Sequence, residues 1–152
     1  SVSGGVGMLA NGCIYAGSRR EHLASPCAHS SEVVAAGNNF NHVMPCAGLL
    51  QEFHIQLGNK TPFYLDSITT LFVLTSDTAI KRSAWLIRRV TVLEEGVSEG
   101  HIEPVHIREY DMAADPFTKY LPYLVWARHM HYVLNLPGAM PPRASKHVTI
   151  EE

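Results

Sequence analysis

Asp111-Met112-Ala113-Ala114-Asp115-Pro116-Phe117-Thr118-Lys119-Tyr120-Leu121 is the stretch on which the reading of the fold turns. Val125, Trp126, His129, Met130, Val133 and Leu134 continue it at near-helical spacing. A last helix is therefore expected over about 113–136, stopped by Pro137-Gly138. An acid at such a helix start lies among free backbone N–H groups and at the positive end of the helix dipole, which hold it in place. Most acids in that position only cap a helix. Asp115 asks for more because other acids stand upstream at the ends of expected elements.

Outward from that stretch, the chain opens with two strand-like runs, Gly4 to Ala10 and Cys13 to Gly17, with Asn11-Gly12 between them as a strong hairpin signal. Ser30-Ser31 offers an N-cap to a long helix with an apolar stripe through Val33, Ala36, Phe40, Val43, Ala47 and Leu50. Pro45 is expected to kink or divide that helix, and Gly58-Asn59 to end it. Thr61-Pro62-Phe63-Tyr64-Leu65-Asp66 reads as a buried strand ending in an acid, followed by a short helix over 67–74. The next helix is expected over about 83–95, closed by Gly96 and Gly100, and His101 to Ile107 alternates as a strand that Pro104 assigns to an edge. Hairpin, long helix, strand, helices, strand, helix is the order of an α/β domain with helices packed on a mixed sheet. The domain is expected over 1–138, with 139–152 as a C-terminal tail.

A chain of 152 residues, 46% hydrophobic and 17% charged, is long enough for one domain with a real core. Lys+Arg 12 against Asp+Glu 14 gives a net charge of -2, so nucleic-acid binding would have to rest on a local patch. Cys13, Cys27 and Cys46 are odd in number and form no CxxC, which reads as reduced thiols in an intracellular compartment. Of nine histidines only His129 and His131 lie close in sequence, and neither they nor any HExxH spacing suggests structural zinc. No apolar run is long enough for a membrane span. The chain opens at Ser1 without methionine, so a missing upstream piece is expected: a targeting segment, a polyprotein neighbour or simply an unrecorded stretch.

Three acids stand at element ends: Glu32 in the first turn of the long helix, Asp66 at a strand's C-terminal end, and Asp115. Converging, they would form an oxygen-rich site suited to Mg²⁺ or Mn²⁺. Two such ions, about 4 Å apart, would clamp the attacking and leaving oxygens of a phosphodiester.

Several of these motifs together resemble a known family, the ribonuclease H domain at the C-terminal end of copia-type (LTR) retrotransposon polyproteins. Ser1-Val2-Ser3-Gly4-Gly5-Val6 resembles its "S-x-SG-x-V" strand, and Ser18-Arg19-Arg20 the basic residues after the next strand. His29-Ser30-Ser31-Glu32 through Ala36 resembles the "SSTEAEYIAA" helix start, and Phe63-Tyr64-Leu65-Asp66-Ser67 the strand ending in "CDN". Ala114-Asp115-Pro116-Phe117-Thr118-Lys119 resembles "AD-x-x-TK", the most specific of the set. The match runs from Ser1 to about Leu136. Departures are Cys27-Ala28-His29, Val33-Val34, Pro45, and Lys81-Arg82-Ser83-Ala84-Trp85 in place of "KHID". The family's first strand, a "DADWA"-like run carrying the first catalytic Asp, would precede Ser1.

The resemblance implies a ribonuclease H-like mixed sheet flanked by helices, with its central first strand missing from this chain. It implies Glu32, Asp66 and Asp115 as catalytic, metal-holding acids, with Mg²⁺ or Mn²⁺ as cofactor and an RNA–DNA hybrid as substrate. Arg19, Arg20, Arg82, Arg88, Arg89 and Lys119 would be its phosphate contacts, against the plainer reading of a solvated charged face. The missing strand and Asp imply a polypeptide that donates a β-strand, and argue against activity of this chain alone. The alternative is a domesticated, catalytically idle subunit of a larger multi-protein assembly. The implied setting is the cytoplasm or a virus-like particle, or the mitochondrion if a targeting segment was removed.

Overall fold

In the computed structural model the chain is described over residues 2–21, 28–58, 60–75 and 84–139. Cys27, Asn59, Arg82 and the tail beyond Ala139 lie outside the described residues.

The chain opens as a hairpin. Strand β1 (Val2–Leu9) pairs antiparallel with β2 (Gly12–Arg20), Val2 opposite Arg20 and Leu9 opposite Gly12. The turn residues are Ala10 (φ 48) and Asn11 (φ 65), both left-handed as a twisted two-residue hairpin loop requires. The loop thus sits one residue earlier than Asn11-Gly12, and Gly12 is already in the ladder. Between Gly7 and Met8 the register slips, leaving Ile14 as an extra residue on β2. β1 is sandwiched: a Cβ on Gly5 would collide with the Asn39 side chain, and one on Gly4 with Cγ2 of Thr118. Only a backbone without side chains allows this double approach.

Helix α1 (Ala28–Glu52) buries Val33, Val34, Ala36 and Phe40. It starts before Ser30-Ser31, so Glu32 lies in its second turn rather than its first. It also runs through Pro45 undivided. Pro45 and Asn41 are both exposed, so water can meet the Asn41 carbonyl that the missing amide abandons. The helix ends well before Gly58: His54 turns left-handed (φ 58), and Ile55 N–H bonds back to the Leu50 carbonyl at 3.0 Å.

Strand β3 (Thr61–Leu65) is parallel to β4 (Ile102–His106), with Thr61 opposite Ile102 and Leu65 opposite His106. Helices α2 (Ile68–Thr75) and α3 (Ala84–Ser98) form the crossover between them. Phe63, Leu65, Leu71, Leu93 and Ile102 join Ala36 and Phe40 of α1 in the main core, while Val33, Val34, Leu86 and Val90 make a second cluster.

The helix expected over 113–136 is instead two short 3₁₀ turns, Glu109–Asp111 and Asp115–Phe117, followed by helix α4 (Tyr123–Val133). Pro122 accounts for the break, since it lacks an N–H and bars Leu121 from helical backbone. Asn135 (φ 51) ends α4, with Leu136 N–H on the His131 carbonyl at 2.9 Å.

The fold is mixed α/β, but the four strands among the described residues make two sheets, β1–β2 and β3–β4. Among the described residues neither β1 nor β3 has a strand on its other edge. Both sheets rest on the same turns of α1, since Asn39 meets β1 while Ala36 and Phe40 share a core with β3. No described helix is long and apolar enough to cross a membrane.

Candidate acidic site

Asp66 stands just past the end of β3. The next residue, Ser67, caps α2, its Oγ accepting the Thr70 N–H at 3.2 Å. Thr70 is fully buried, and its Oγ1 donates to Glu32 Oε2 at 3.2 Å. Glu32 is thereby tied from α1 to the first turn of the helix that Asp66 precedes.

Asp115 reaches the same neighbourhood from the other side. It opens the Asp115–Phe117 turn and is only 6% exposed. Its carbonyl takes the N–H groups of Thr118 and Lys119, both at 2.9 Å. That turn packs on β1 through Thr118, so Asp115 is placed by the hairpin sheet and Asp66 by the parallel one. The two acids feel one another: burial raises the Asp115 pKa, Lys119 works against the rise, and the Asp66 charge adds to it.

Lys119 Nζ donates to Glu109 Oε1 at 2.8 Å and to Asp115 Oδ2 at 3.2 Å, bridging the two turns. Burial disfavours its charge, but the hydrogen bond to Glu109 and the field of Asp115 outweigh that and raise its pKa. The same bond lowers the pKa of Glu109. Alongside, Arg128 of α4 bonds Asp111 and lies 4.1 Å from the Tyr110 ring centroid. His129 is 4% exposed, and its Nε2 has no hydrogen-bond partner. Burial and the neighbouring Arg128 lower its pKa, with Asp111 opposing.

The expected phosphate contacts are scattered. Arg19 and Arg20 are exposed at the end of β2, Arg88 is exposed on α3, and the Arg89 side chain lies across Gly37 of α1. Lys119 is engaged by two carboxylates. Sequence reasoning missed Glu109 and also Glu21, whose Oε1 accepts from Ser3 Oγ and, at 3.1 Å, from Asn38 Nδ2. Neither has a periodic signal, because each partner is ten or more residues away.

The carboxylate oxygens are of the type that Mg²⁺ and Mn²⁺ take. Among the described residues, however, no three His, Cys, Asp or Glu side chains gather closely enough to hold a metal ion. As placed, Glu32, Asp66 and Asp115 do not fit an ion by themselves. Comparison with protein-family models, curated proteins and solved structures finds no match to this chain.

Proposed function

We propose that the chain is most of a ribonuclease H-like module of a copia-type retroelement, which hydrolyses the RNA strand of RNA–DNA hybrids once a central β-strand bearing a fourth carboxylate is in place. What carries this reading is the pair of sheets that share α1 yet, among the described residues, leave β1 and β3 without a strand on their other edges. An antiparallel pair and a parallel pair set apart in this way are what a ribonuclease H-like sheet becomes when its middle strand is lifted out. Backbone groups left unpaired at a buried edge cost on the order of 1–3 kcal/mol each, against a total stability of roughly 5–15. The strand, upstream of Ser1 or on another polypeptide, would add by backbone pairing. Its acid would complete with Glu32, Asp66 and Asp115 a set able to take Mg²⁺ or Mn²⁺. A retroelement nuclease of this kind would act in the cytoplasm or a virus-like particle.

The test is cleavage of a labelled RNA–DNA hybrid by the chain mixed with a β-strand peptide carrying one Asp, and with the same peptide carrying Asn. Amide exchange at β1 and β3 reports whether the peptide pairs. Cleavage with the Asp peptide alone is expected. Pairing of both peptides with cleavage by neither would refute the nuclease reading.

A second reading, an idle structural subunit of a larger assembly, is favoured by one observation: Asp115 is already neutralised by Lys119. Native mass spectrometry that finds a stable complex whose partners bring no acidic strand would support it.

A further inference from the structure

We propose that the cavity between the hairpin and α1 is a binding pocket for a phosphoryl group, with the Arg19 guanidinium as its cation. The pocket goes beyond the nuclease reading and stands whether or not the chain cuts hybrids. Gly5 lies against Asn39 of α1, and residues two apart along a strand share a face. The face of the hairpin turned to α1 therefore carries Ser3, Gly5 and Gly7 on β1, directly opposite Arg19, Gly17 and Tyr15 on β2. The paired glycines at 5 and 17 leave the middle of that face without side chains. Ser3 and Arg19 close one end, and at the other the Tyr15 ring stacks on His42 of α1, centroids 4.2 Å apart. Asn38 and Asn39 line the side that α1 supplies. What remains is a cavity of about 30 Å³. A water needs roughly 10–15 Å³ on the same measure, so two waters or one small tetrahedral oxyanion fit.

The polarity of this seam points to a ligand. Against β3, α1 meets its sheet through Ala36 and Phe40, as a helix on a sheet ordinarily does. Against the hairpin it offers two amides and an imidazole, and the hairpin answers with a guanidinium, a phenol and a hydroxyl. Polar groups between a helix and a sheet cost stability unless they are hydrogen-bonded. Asn39 Nδ2 donates to the Gly4 carbonyl at 3.0 Å, and Asn38 Nδ2 to Glu21 at 3.1 Å. Glu21 stands at the rim, and no carboxylate lines the cavity itself. The lining thus holds one permanent positive charge, several N–H and O–H donors and no acid. That is the complement of an oxyanion, and a guanidinium fork matches a phosphoryl group in particular.

Two substitutions should act with opposite sign. Arg19→Gln removes the cation from an exposed position and should weaken inorganic phosphate binding about tenfold or more. Glu21→Gln removes the negative charge at the rim, keeps an acceptor for Ser3 and Asn38, and should tighten binding about threefold. Arg108→Gln, an exposed cation outside the lining, separates the pocket from a general field and should change affinity less than about twofold.

The experiment is a nitrogen-15 NMR titration of the 152-residue chain with inorganic phosphate at constant pH and ionic strength, read at the Gly17 amide and the Asn38 and Asn39 side-chain amides. Saturable shifts there, with affinity in the order Glu21→Gln, then wild type and Arg108→Gln together, then Arg19→Gln, are expected. A second titration uses a single-stranded oligonucleotide without terminal phosphates. Shifts at the same amides assign the pocket to the backbone phosphate of a strand, and their absence assigns it to a free or terminal phosphate; either keeps the pocket. No saturable shift with inorganic phosphate would mean a cavity that holds only water, and would overturn the proposal. Equal affinity of wild type and Arg19→Gln, or weaker binding by Glu21→Gln, would overturn it as well.

Discussion

The β1–β2 hairpin closes through a two-residue turn and is fastened to α1 by polar side chains, whereas β3 and β4 meet only after two helices have intervened and are fastened by apolar burial. On the hairpin, Asn39 donates to the Gly4 carbonyl at 3.0 Å, and Glu21 gathers Ser3 and Asn38. In the parallel pair, Phe63, Leu65 and Ile102 are buried against Leu71 and Leu93. One region depends on turn chemistry and a few hydrogen bonds, each worth about 1 kcal/mol net. The other depends on area removed from water, worth about 1.5–3 kcal/mol for each large side chain. The acidic site straddles the two, Asp66 on one and Asp115 against the other. Its geometry is therefore only as firm as the joint that α1 supplies between them.

The largest expected effect falls on the parallel pair. Leu93 is fully buried in the main core, so Leu93→Ala should cost about 2–5 kcal/mol in a urea unfolding curve. Amide exchange in the same protein should rise at β3 and β4 before the hairpin. Equal loss of protection in both sheets would make them one cooperative unit and end the contrast.

A smaller effect is expected where the hairpin meets α1. The methyl of Gly5→Ala must push Asn39 aside and break its bond to the Gly4 carbonyl. A cost of about 1–3 kcal/mol is expected. Unchanged stability would mean that the hairpin is not held to α1 through this contact.

Acid should act on α4. The folded pKa of His129 is lowered, so between that value and the unfolded value near 6.5 the unfolded chain binds more protons. The stability that neutral His129 contributes is complete above about pH 6.5 and is lost as the pH falls through the folded pKa. Asp115 has the opposite sign, because its folded pKa is raised: the folded chain binds more protons just above the ordinary carboxyl value of 3.8, and stability falls as the pH rises there. Denaturant midpoints of wild type and His129→Phe, measured from pH 7.5 downward, check this. If both fall in parallel below pH 6.5, His129 is not the titrating group.

What the sequence revealed follows the same division. Asn11-Gly12 announced the hairpin, and the strand ending at Asp66 was legible because an apolar run terminating in an acid is a local signal. Mixed α/β architecture followed from element order. The breaks were misplaced where one residue overrides a periodic pattern. Pro122 stopped the last helix from starting at Ala113, and His54 ended α1 without waiting for glycine. The charge network could not be read, because Lys119 meets Glu109, Arg128 meets Asp111 and Asn38 meets Glu21 only after the chain has folded. The Lys119 cation on Asp115 was likewise not legible in the sequence.

The smallest effect tests the turn itself and separates the structure from the sequence pattern. A turn at Asn11-Gly12 would need glycine at 12, and Gly12→Ala would then be costly. With the turn at Ala10-Asn11, Gly12 is an ordinary ladder residue. A methyl on Gly12 would stand 3.4 Å from the Leu9 carbonyl oxygen, an ordinary van der Waals contact, so Gly12→Ala should be nearly neutral. Ala10, by contrast, holds a left-handed conformation that costs an L-residue with a Cβ roughly 1–2 kcal/mol. Ala10→Gly relieves that strain but gives the unfolded chain more freedom, which takes back about 0.4–1 kcal/mol. The net gain should lie between about 0 and about 1.6 kcal/mol, with melting temperature rising about 2–4 °C for each kcal/mol gained. A loss of stability in Ala10→Gly together with a large loss in Gly12→Ala would move the turn by one residue. It would also shift the pairing next to the turn by two residues, setting Leu9 opposite Ile14 instead of Gly12.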